Sequence, residues 1–149
     1  MKLDMEIKEL TSLEEMLPQF DLMHLMYTKM TPEKYKSFLE VMIPNHYSQV
    51  AVFENNECIG VTGLWFQTKL WCGKALEIDN FIVHPDHRSK GIGKMICDFV
   101  ELKAKTLGCT NIVLDAYTSN FLAHRFYYNQ GFGPKGFHFV KILDENGLT

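Results

Sequence analysis

The stretch Arg88-Ser89-Lys90-Gly91-Ile92-Gly93-Lys94 holds the residue types most suited to chemistry, between a β-rich run and a run of helical spacing. Glycines there let the backbone approach a ligand closely, and a helix start offers unpaired N–H groups with about half a positive charge. Arg88, Lys90 and Lys94 add full charges, so the physics is that of a phosphate or pyrophosphate cradle. Spacing excludes two familiar cradles. A dinucleotide fingerprint starting at Gly91 needs Gly or Ala where Ile96 stands, and a P-loop needs Ser or Thr where Met95 follows Gly93-Lys94. Taken alone, the glycine pair is equally a plain strand-to-helix turn.

Just upstream, Glu77 and Asp79 interrupt an otherwise apolar run and alternate onto one strand face unless a bulge intervenes. Carboxylates inside such a strand invite a functional reading; a solvated strand face is the equal alternative. Further on, Asn120, Ala123 and Tyr127 share a helix face. At about 100° per residue, Ala123 lies roughly 60° and Tyr127 about 20° from Asn120, whereas Tyr128 points elsewhere.

The elements that must position these groups form one ordered series. Met5 to Leu10 alternates as a first strand, and Leu13, Met16, Leu17, Phe20, Met23, His24 and Tyr27 mark one helix face broken at Pro18. Thr31-Pro32 opens a helix through about Met42. Val50 to Phe53 and Cys58 to Phe66 read as strands joined by a hairpin at Asn55-Asn56, which tolerate positive φ. A turn at Cys72-Gly73-Lys74 leads into Ala75 to Val83, which His84-Pro85 ends. Helical spacing then runs from Ile92 to Leu107, with Gly108 as the stop. Asn111 to Ala116 reads as a strand, Ser119 to Gln130 as a helix and Phe137 to Leu143 as a last strand. The order is β-α-α-β-β-β-α-β-α-β: an α/β fold with about four helices packed on a mixed sheet.

The chain has 149 residues, 46% apolar, with 15 basic and 18 acidic side chains. That length predicts one domain over residues 1–149 with an ordinary core. A net charge of −3 and a pI near 6.0 argue against a nucleic-acid binder. Cys58, Cys72, Cys97 and Cys109 form no C-x-x-C pair and read as reduced structural thiols, with no catalytic role for Cys97 or Cys109. His84 and His87 read as exposed loop residues rather than a metal pair, and His124 and His138 likewise; no metal is expected. Met1 to Leu10 mixes charges into its apolar residues, unlike a secretory leader, and no apolar run spans a membrane. The expectation is a soluble, cytoplasmic protein.

Arg88-x-x-Gly91-x-Gly93, directly after a strand ending Val83-His84-Pro85, resembles the acetyl-CoA-binding motif of the GNAT N-acetyltransferase superfamily. The run from Asn120 through Ala123, Phe126 and Tyr127 to Gly131-Phe132 is similar to that family's N-x-x-A-x-x-[LF]-Y-x-x-x-G-F. The resemblance covers about Leu76 to Phe132, and the element order agrees with the GNAT fold, whose central sheet is mixed and mostly antiparallel.

The resemblance implies that the amides of Arg88, Ser89, Lys90, Gly91, Ile92, Gly93 and Lys94 bind the CoA pyrophosphate. It implies that Phe81, Ile82 and Val83 hold the acetyl group and pantetheine arm where their strand splays from the next. Asn120 and Ala123 would contact the pantetheine, and the Tyr127 hydroxyl would sit near the CoA sulfur as general acid. An acceptor amine must lose a proton before it attacks, and a carboxylate can take it. Glu77 stands eleven residues before the motif's Arg88, the spacing of the catalytic Glu in the histone acetyltransferase branch; Asp79 becomes a substrate contact.

The implied activity is acetyl-CoA-dependent N-acetyltransfer by direct attack of a primary amine, with CoA as product. The acceptor is a small molecule such as a polyamine or aminoglycoside, or a peptide or protein lysine, and the slight acidity leans toward a cation. The alternative is a CoA-binding sensor or regulatory module without turnover, although a pure binder needs neither Glu77 nor Tyr127. A phosphate-binding interaction domain without CoA is a third class. Met23, Met26, Met30 and Met42 read as core before adaptable pocket, and Tyr27, Tyr35, Tyr47 and Trp65 as packing before a cation cradle. The family resemblance is compatible with a homodimer.

Overall fold

Asn55 and Asn56 adopt φ of 51° and 65° and fold strand β2 (Tyr47–Glu54) back onto β3 (Glu57–Lys69). Two adjacent positive-φ residues give the turn a twist that matches the flanking strands. Gly73, at φ 70°, opens β4 (Gly73–Val83), which pairs antiparallel with β3. The computed structural model describes residues 4–149, so the leader reading of Met1 to Leu10 begins outside the described residues. With β1 (Met5–Leu10) against β2 and β5 (Asn111–Leu114) parallel to β4, the sheet runs in the order β1-β2-β3-β4-β5.

Helical segments cover both faces. The broken stretch expected around Pro18 is α1 (Leu13–Met16), a 3-10 turn at Leu17–Gln19 and α2 (Phe20–His24). Ser12 and Glu15 close a capping box at its start, satisfying two backbone donors reciprocally. Helix α3 (Pro32–Met42) starts where expected, with the Thr31 side chain accepting from the Lys34 amide at 3.1 Å. These segments bury Met16, Met23, Tyr35 and Leu39 against Tyr47, Ala51, Val61 and Ile82 on one sheet face. Helix α4 (Ile92–Thr106) covers the other face, packing Ile96 and Val100 on Val50, Leu64 and Leu76. Its Lys103 reaches Glu9 of β1 at 2.8 Å, tying the far strand to the helix. Among the described residues no helix is long and apolar enough to cross a membrane.

Three expectations are corrected. The fifth strand stops at Leu114 rather than Ala116, and the next helix, α5, is Phe121–Asn129, with Asn120 as its N-cap rather than inside it. The last strand does not form. Phe137 to Leu143 carries a strand's apolar pattern but pairs with no strand among the described residues, and residues 133–148 are all exposed. A strand needs an edge to bond to as well as a pattern, and here His138 is held by Asp115, just past the end of β5, at 2.9 Å.

Candidate active site

The register of β4 creates the site. Gly63 pairs with Asp79 and Val61 with Ile82, so Asn80 and Phe81 together oppose Thr62, which is a β-bulge. Asn80 sits at φ 54°, unusual for any residue but glycine, and its side chain explains why it stays. Its Oδ1 accepts from the Tyr47 hydroxyl at 2.9 Å, and its Nδ2 donates to the Tyr27 hydroxyl at 2.6 Å. The Thr62 hydroxyl bonds the Asp79 carbonyl at 3.0 Å and clamps the bulge from β3.

Because the extra residue comes after Asp79, Glu77 and Asp79 do share a face, the one covered by α1 to α3. Asp79 accepts from Trp65 Nε1 at 3.1 Å and from the Asn80 amide at 2.9 Å. Glu77 accepts from Gln67 Nε2 at 3.4 Å, with the Lys69 ammonium 4.0 Å away. The Tyr47 and Trp65 rings lie 4.9 Å apart. Asp79 beside Tyr27 and Trp65, with Glu77 on the same face, thus makes a half-buried acidic and aromatic patch. Tyr35 is not part of it: its hydroxyl donates to the Met16 carbonyl inside the core. Met23 and Met30 are core as expected, whereas Met26 is exposed.

Beyond Ile78, β4 has lost its neighbour. Pairing with β5 covers only Ala75 to Ile78, so from Asp79 to Val83 that side of the β4 backbone meets no strand among the described residues. The gap leads to the glycine loop. Gly91 caps α4 at φ 80°, Ser89 is also left-handed at φ 62°, and Arg88, Ser89, Lys90, Gly91 and Lys94 are exposed. The first-turn amides of a fifteen-residue helix therefore open onto the end of the gap. Of the three cations, Lys94 is paired to Asp98 at 2.6 Å, which holds its ammonium pKa up, and Arg88 Nε reaches the Val83 carbonyl at 3.4 Å. A Cβ at Gly91 would touch nothing within 4 Å, so the glycine answers to backbone conformation and to the open space in front of it. Gly91→Val puts a branched side chain at a left-handed position, costing about 1–2 kcal/mol or more. Its melting temperature is expected to fall by roughly 3–10 °C, and an unchanged Tm would show that Gly91 does not hold a left-handed conformation.

On the opposite sheet face, α5 brings Tyr127 beneath the gap. The rings of Phe126 and Tyr127 lie 5.8 and 6.2 Å from that of Phe81, and Phe132 stands 5.8 Å from Tyr127. Burial, with Cys97 nearby, pushes the Tyr127 phenol up to about 12. Asn120 spends its Oδ1 on the Ala123 amide at 3.2 Å, leaving its Nδ2 as the group able to donate to a ligand. Gly93 is a close-approach position: a Cβ there would meet the Phe126 ring at 2.9 Å, so the glycine lets α4 and α5 touch.

The structure thus gathers the expected residues into three groups around one gap. Glu77 and Asp79 lie on one face, Phe81, Ala123 and Tyr127 on the other, and the glycine loop at the end. Sequence reasoning missed Asn80 and Thr62 and named Phe126 only as a motif position; the adjacent polar pair Asp79-Asn80 was the available signal for the first. His87 is not the exposed histidine expected. It packs on Glu54, 3.5 Å between Nδ1 and Oε2, because the 3-10 turn at Pro85–His87 swings it under the β2–β3 hairpin. Among the described residues no cluster suited to a metal ion occurs.

Known proteins are similar to this chain in sequence and in fold. The sequence profile described as the acetyltransferase (GNAT) family matches residues 9–132. An uncharacterized N-acetyltransferase of Bacillus subtilis is 29% identical over 137 residues, covering 91% of this chain and 96% of the relative. Aminoalkylphosphonate N-acetyltransferase of Salmonella typhimurium is 31% identical over 104 residues, 67% of this chain and 65% of the relative. The crystal structure of an aminoglycoside N-acetyltransferase in complex with CoA superposes with a TM-score of 0.81 at 15% identity, over 94% of this chain and 95% of that one. With the profile spanning β2 to β5, the glycine loop and α5, the chain belongs to the GNAT family of N-acetyltransferases.

Proposed function

We propose that the chain is a single N-acetyltransferase domain that transfers the acetyl group of acetyl-CoA to a primary amine, by direct attack within the gap between β4 and β5. The observation that carries this reading is the gap itself, open along Asp79 to Val83 and ending at the left-handed glycine of the α4 N-terminus. The residues fit acetyl-CoA as cosubstrate. Loop amides from Arg88 to Lys94 meet the pyrophosphate, the β4 edge at Phe81, Ile82 and Val83 offers strand-like bonds to the pantetheine arm, and Asn120 Nδ2 and the small Ala123 flank it. The bound thioester would supply an activated acetyl carbon; the rest is done by backbone and side-chain groups of this protein.

Glu77, directly or through a water, takes the proton that the acceptor nitrogen sheds as its bond to the acetyl carbon forms. Backbone N–H groups of the loop or the β4 edge stabilise the oxyanion. The C–S bond then breaks, and the departing sulfur needs a donor, which Tyr127 provides. Burial pushes the Tyr127 phenol up to about 12, so it keeps its proton at neutral pH and has a hydrogen to offer the sulfur. Tyr127 therefore acts as a neutral hydrogen-bond donor that steadies the thiolate. No covalent acyl-enzyme is required.

For the acceptor, the patch formed by Asp79, Trp65 and Tyr27 favours a cationic small-molecule amine: a carboxylate for the ammonium and rings for its carbon skeleton. The relatives' named substrates, an aminoalkylphosphonate and aminoglycosides, are small amines as well. A homodimer remains part of this reading. A thermal melt with acetyl-CoA, free CoA and ATP tests the cofactor. Saturation at about 100 times Kd adds about 2.7 kcal/mol, a rise of roughly 5–10 °C. The rise is expected with both CoA species and not with ATP; no rise with either CoA species overturns the assignment. Thiol release across a panel of amines and lysine peptides then identifies the acceptor.

A further inference from the structure

We infer that Tyr27 selects the acceptor: an internal hydrogen-bond chain leaves its hydroxyl proton free to bond an oxygen of the substrate, so the preferred amines carry a hydroxyl or ether oxygen near the nitrogen. The inference rests on the reading of the Asp79 face as the acceptor side.

The chain begins in the core, where its direction is set. Tyr35 donates its one hydroxyl proton to the Met16 carbonyl at 3.1 Å, and a carbonyl can only accept. The Tyr35 oxygen in turn accepts from Gln49 Nε2 at 3.1 Å, and the same Nε2 donates to the Tyr47 hydroxyl at 3.3 Å. Gln49 is fully buried, and its Oε1 has no hydrogen-bond partner, which is a cost. Turned over, the amide would set Oε1 against the Tyr35 oxygen, whose proton is already committed. Tyr47 therefore has its own proton to give, and it donates to Asn80 Oδ1 at 2.9 Å. That turns Asn80 Nδ2 onto the Tyr27 hydroxyl at 2.6 Å. The Tyr27 oxygen is thus an acceptor within the chain, and its proton has no acceptor among the described residues.

Tyr27 is held in place to offer that proton. Its amide donates to the Met23 carbonyl and its carbonyl accepts from the Met30 amide, each at 3.0 Å, so the turn between α2 and α3 is fixed on both sides. Burial raises the phenol pKa and the nearby Asp79 charge adds to it, so the proton stays on at neutral pH. An ammonium drawn to Asp79 brings its neighbouring atoms against this donor, and only a lone pair can take the proton. A hydroxyl or ether oxygen has one. The further nitrogens of a polyamine are protonated at neutral pH and have none. An acceptor without the oxygen leaves the phenol proton unpaired and shut off from water, which is worth about 5–150-fold in transfer efficiency.

Thiol release with saturating acetyl-CoA on two matched pairs tests this: aminocyclohexanol against methylcyclohexylamine, and methoxypropylamine against pentylamine. The wild type is expected to favour the oxygen-bearing member of each pair, with the difference in acceptor KM. Tyr27→Phe should shrink that preference about 5-fold or more and leave the acetyl-CoA KM unchanged. Tyr47→Phe should shrink it as well, because Asn80 can then turn over and take the Tyr27 proton itself; a packing role for Tyr47 predicts no such change. A wild type that ignores the oxygen, or a preference that survives Tyr27→Phe, overturns the inference while acetyl transfer stands. If no amine releases thiol, acetyl transfer itself is in question and the hydroxyl decides here. With tyrosine isotope-labelled at Cζ in mixed light and heavy water, a slowly exchanging hydroxyl gives two resonances and a freely exchanging one gives a single resonance. Tyr35 and Tyr47 are expected to give two and Tyr27 one; two resonances from Tyr27 mean that its proton is bonded internally and overturn the inference.

Discussion

Glu77→Gln is expected to lower the acetyl-transfer rate by about 10²–10⁴-fold while leaving acetyl-CoA affinity nearly unchanged. The amide keeps the shape of the carboxylate and its contact with Gln67, but it cannot accept the acceptor's proton. The cofactor groups are elsewhere, on the glycine loop, the β4 edge and α5, which is why binding should survive. The variant's residual rate should climb with pH as the amine sheds its proton to bulk water. Asp79→Asn is the necessary companion, because Asp79 shares the face and stands nearer the bulge, accepting from Trp65 and Asn80. A full-rate Glu77→Gln enzyme at every pH removes Glu77 from the mechanism, and a large loss confined to Asp79→Asn transfers the role of base to Asp79.

Raising the pH above about 9 is expected to destabilise the fold through its buried thiols and a buried phenol. Burial raises Cys97 and Cys58 from 9.0 to about 11 and Tyr127 from 10.0 to about 12. Each of these groups keeps its proton longer in the folded chain than in the unfolded one. Their contribution is therefore whole below pH 9, where both states hold the proton, and disappears as the pH rises through 11 to 12. For Cys97, only 7% exposed, the difference is on the order of 3 kcal/mol. Under reducing conditions Tm should stay level to about pH 9 and then fall steeply. Cys97→Ala should flatten the first part of that fall. A Tm that holds level through pH 11 would show that these side chains are not buried as described.

What the sequence reveals and what it withholds follow a physical line. The Asn55-Asn56 hairpin, the Thr31 cap, the break at Pro18 and the Gly91 start of α4 are all decided within a few residues, so their chemistry is written locally. The bulge at Asn80 is not. Alternation assigned faces correctly as far as Asp79, but the extra residue is held by Thr62 from β3, Tyr47 from β2 and Tyr27 from beyond α2. Partners that far apart in the chain leave no periodic trace. The Phe137 to Leu143 segment shows the complementary failure: its pattern is that of a strand, but pattern does not say which edge receives it. The placement of Glu77 with Asp79 was legible because it depends on alternation within one strand, whereas the approach of Tyr127 to Phe81 joins α5 to β4 and leaves no such trace.

The contact between Gly93 and Phe126 also bears on how this sequence can drift. Two positions 33 residues apart share one volume, so neither is free to change alone. A chain that acquires a side chain at 93 must shrink the ring at 126, or else let α5 swing away and carry Asn120, Ala123 and Tyr127 with it. Related sequences should therefore trade size between these two sites, small against large, even where the glycine loop and the helix around them have otherwise diverged.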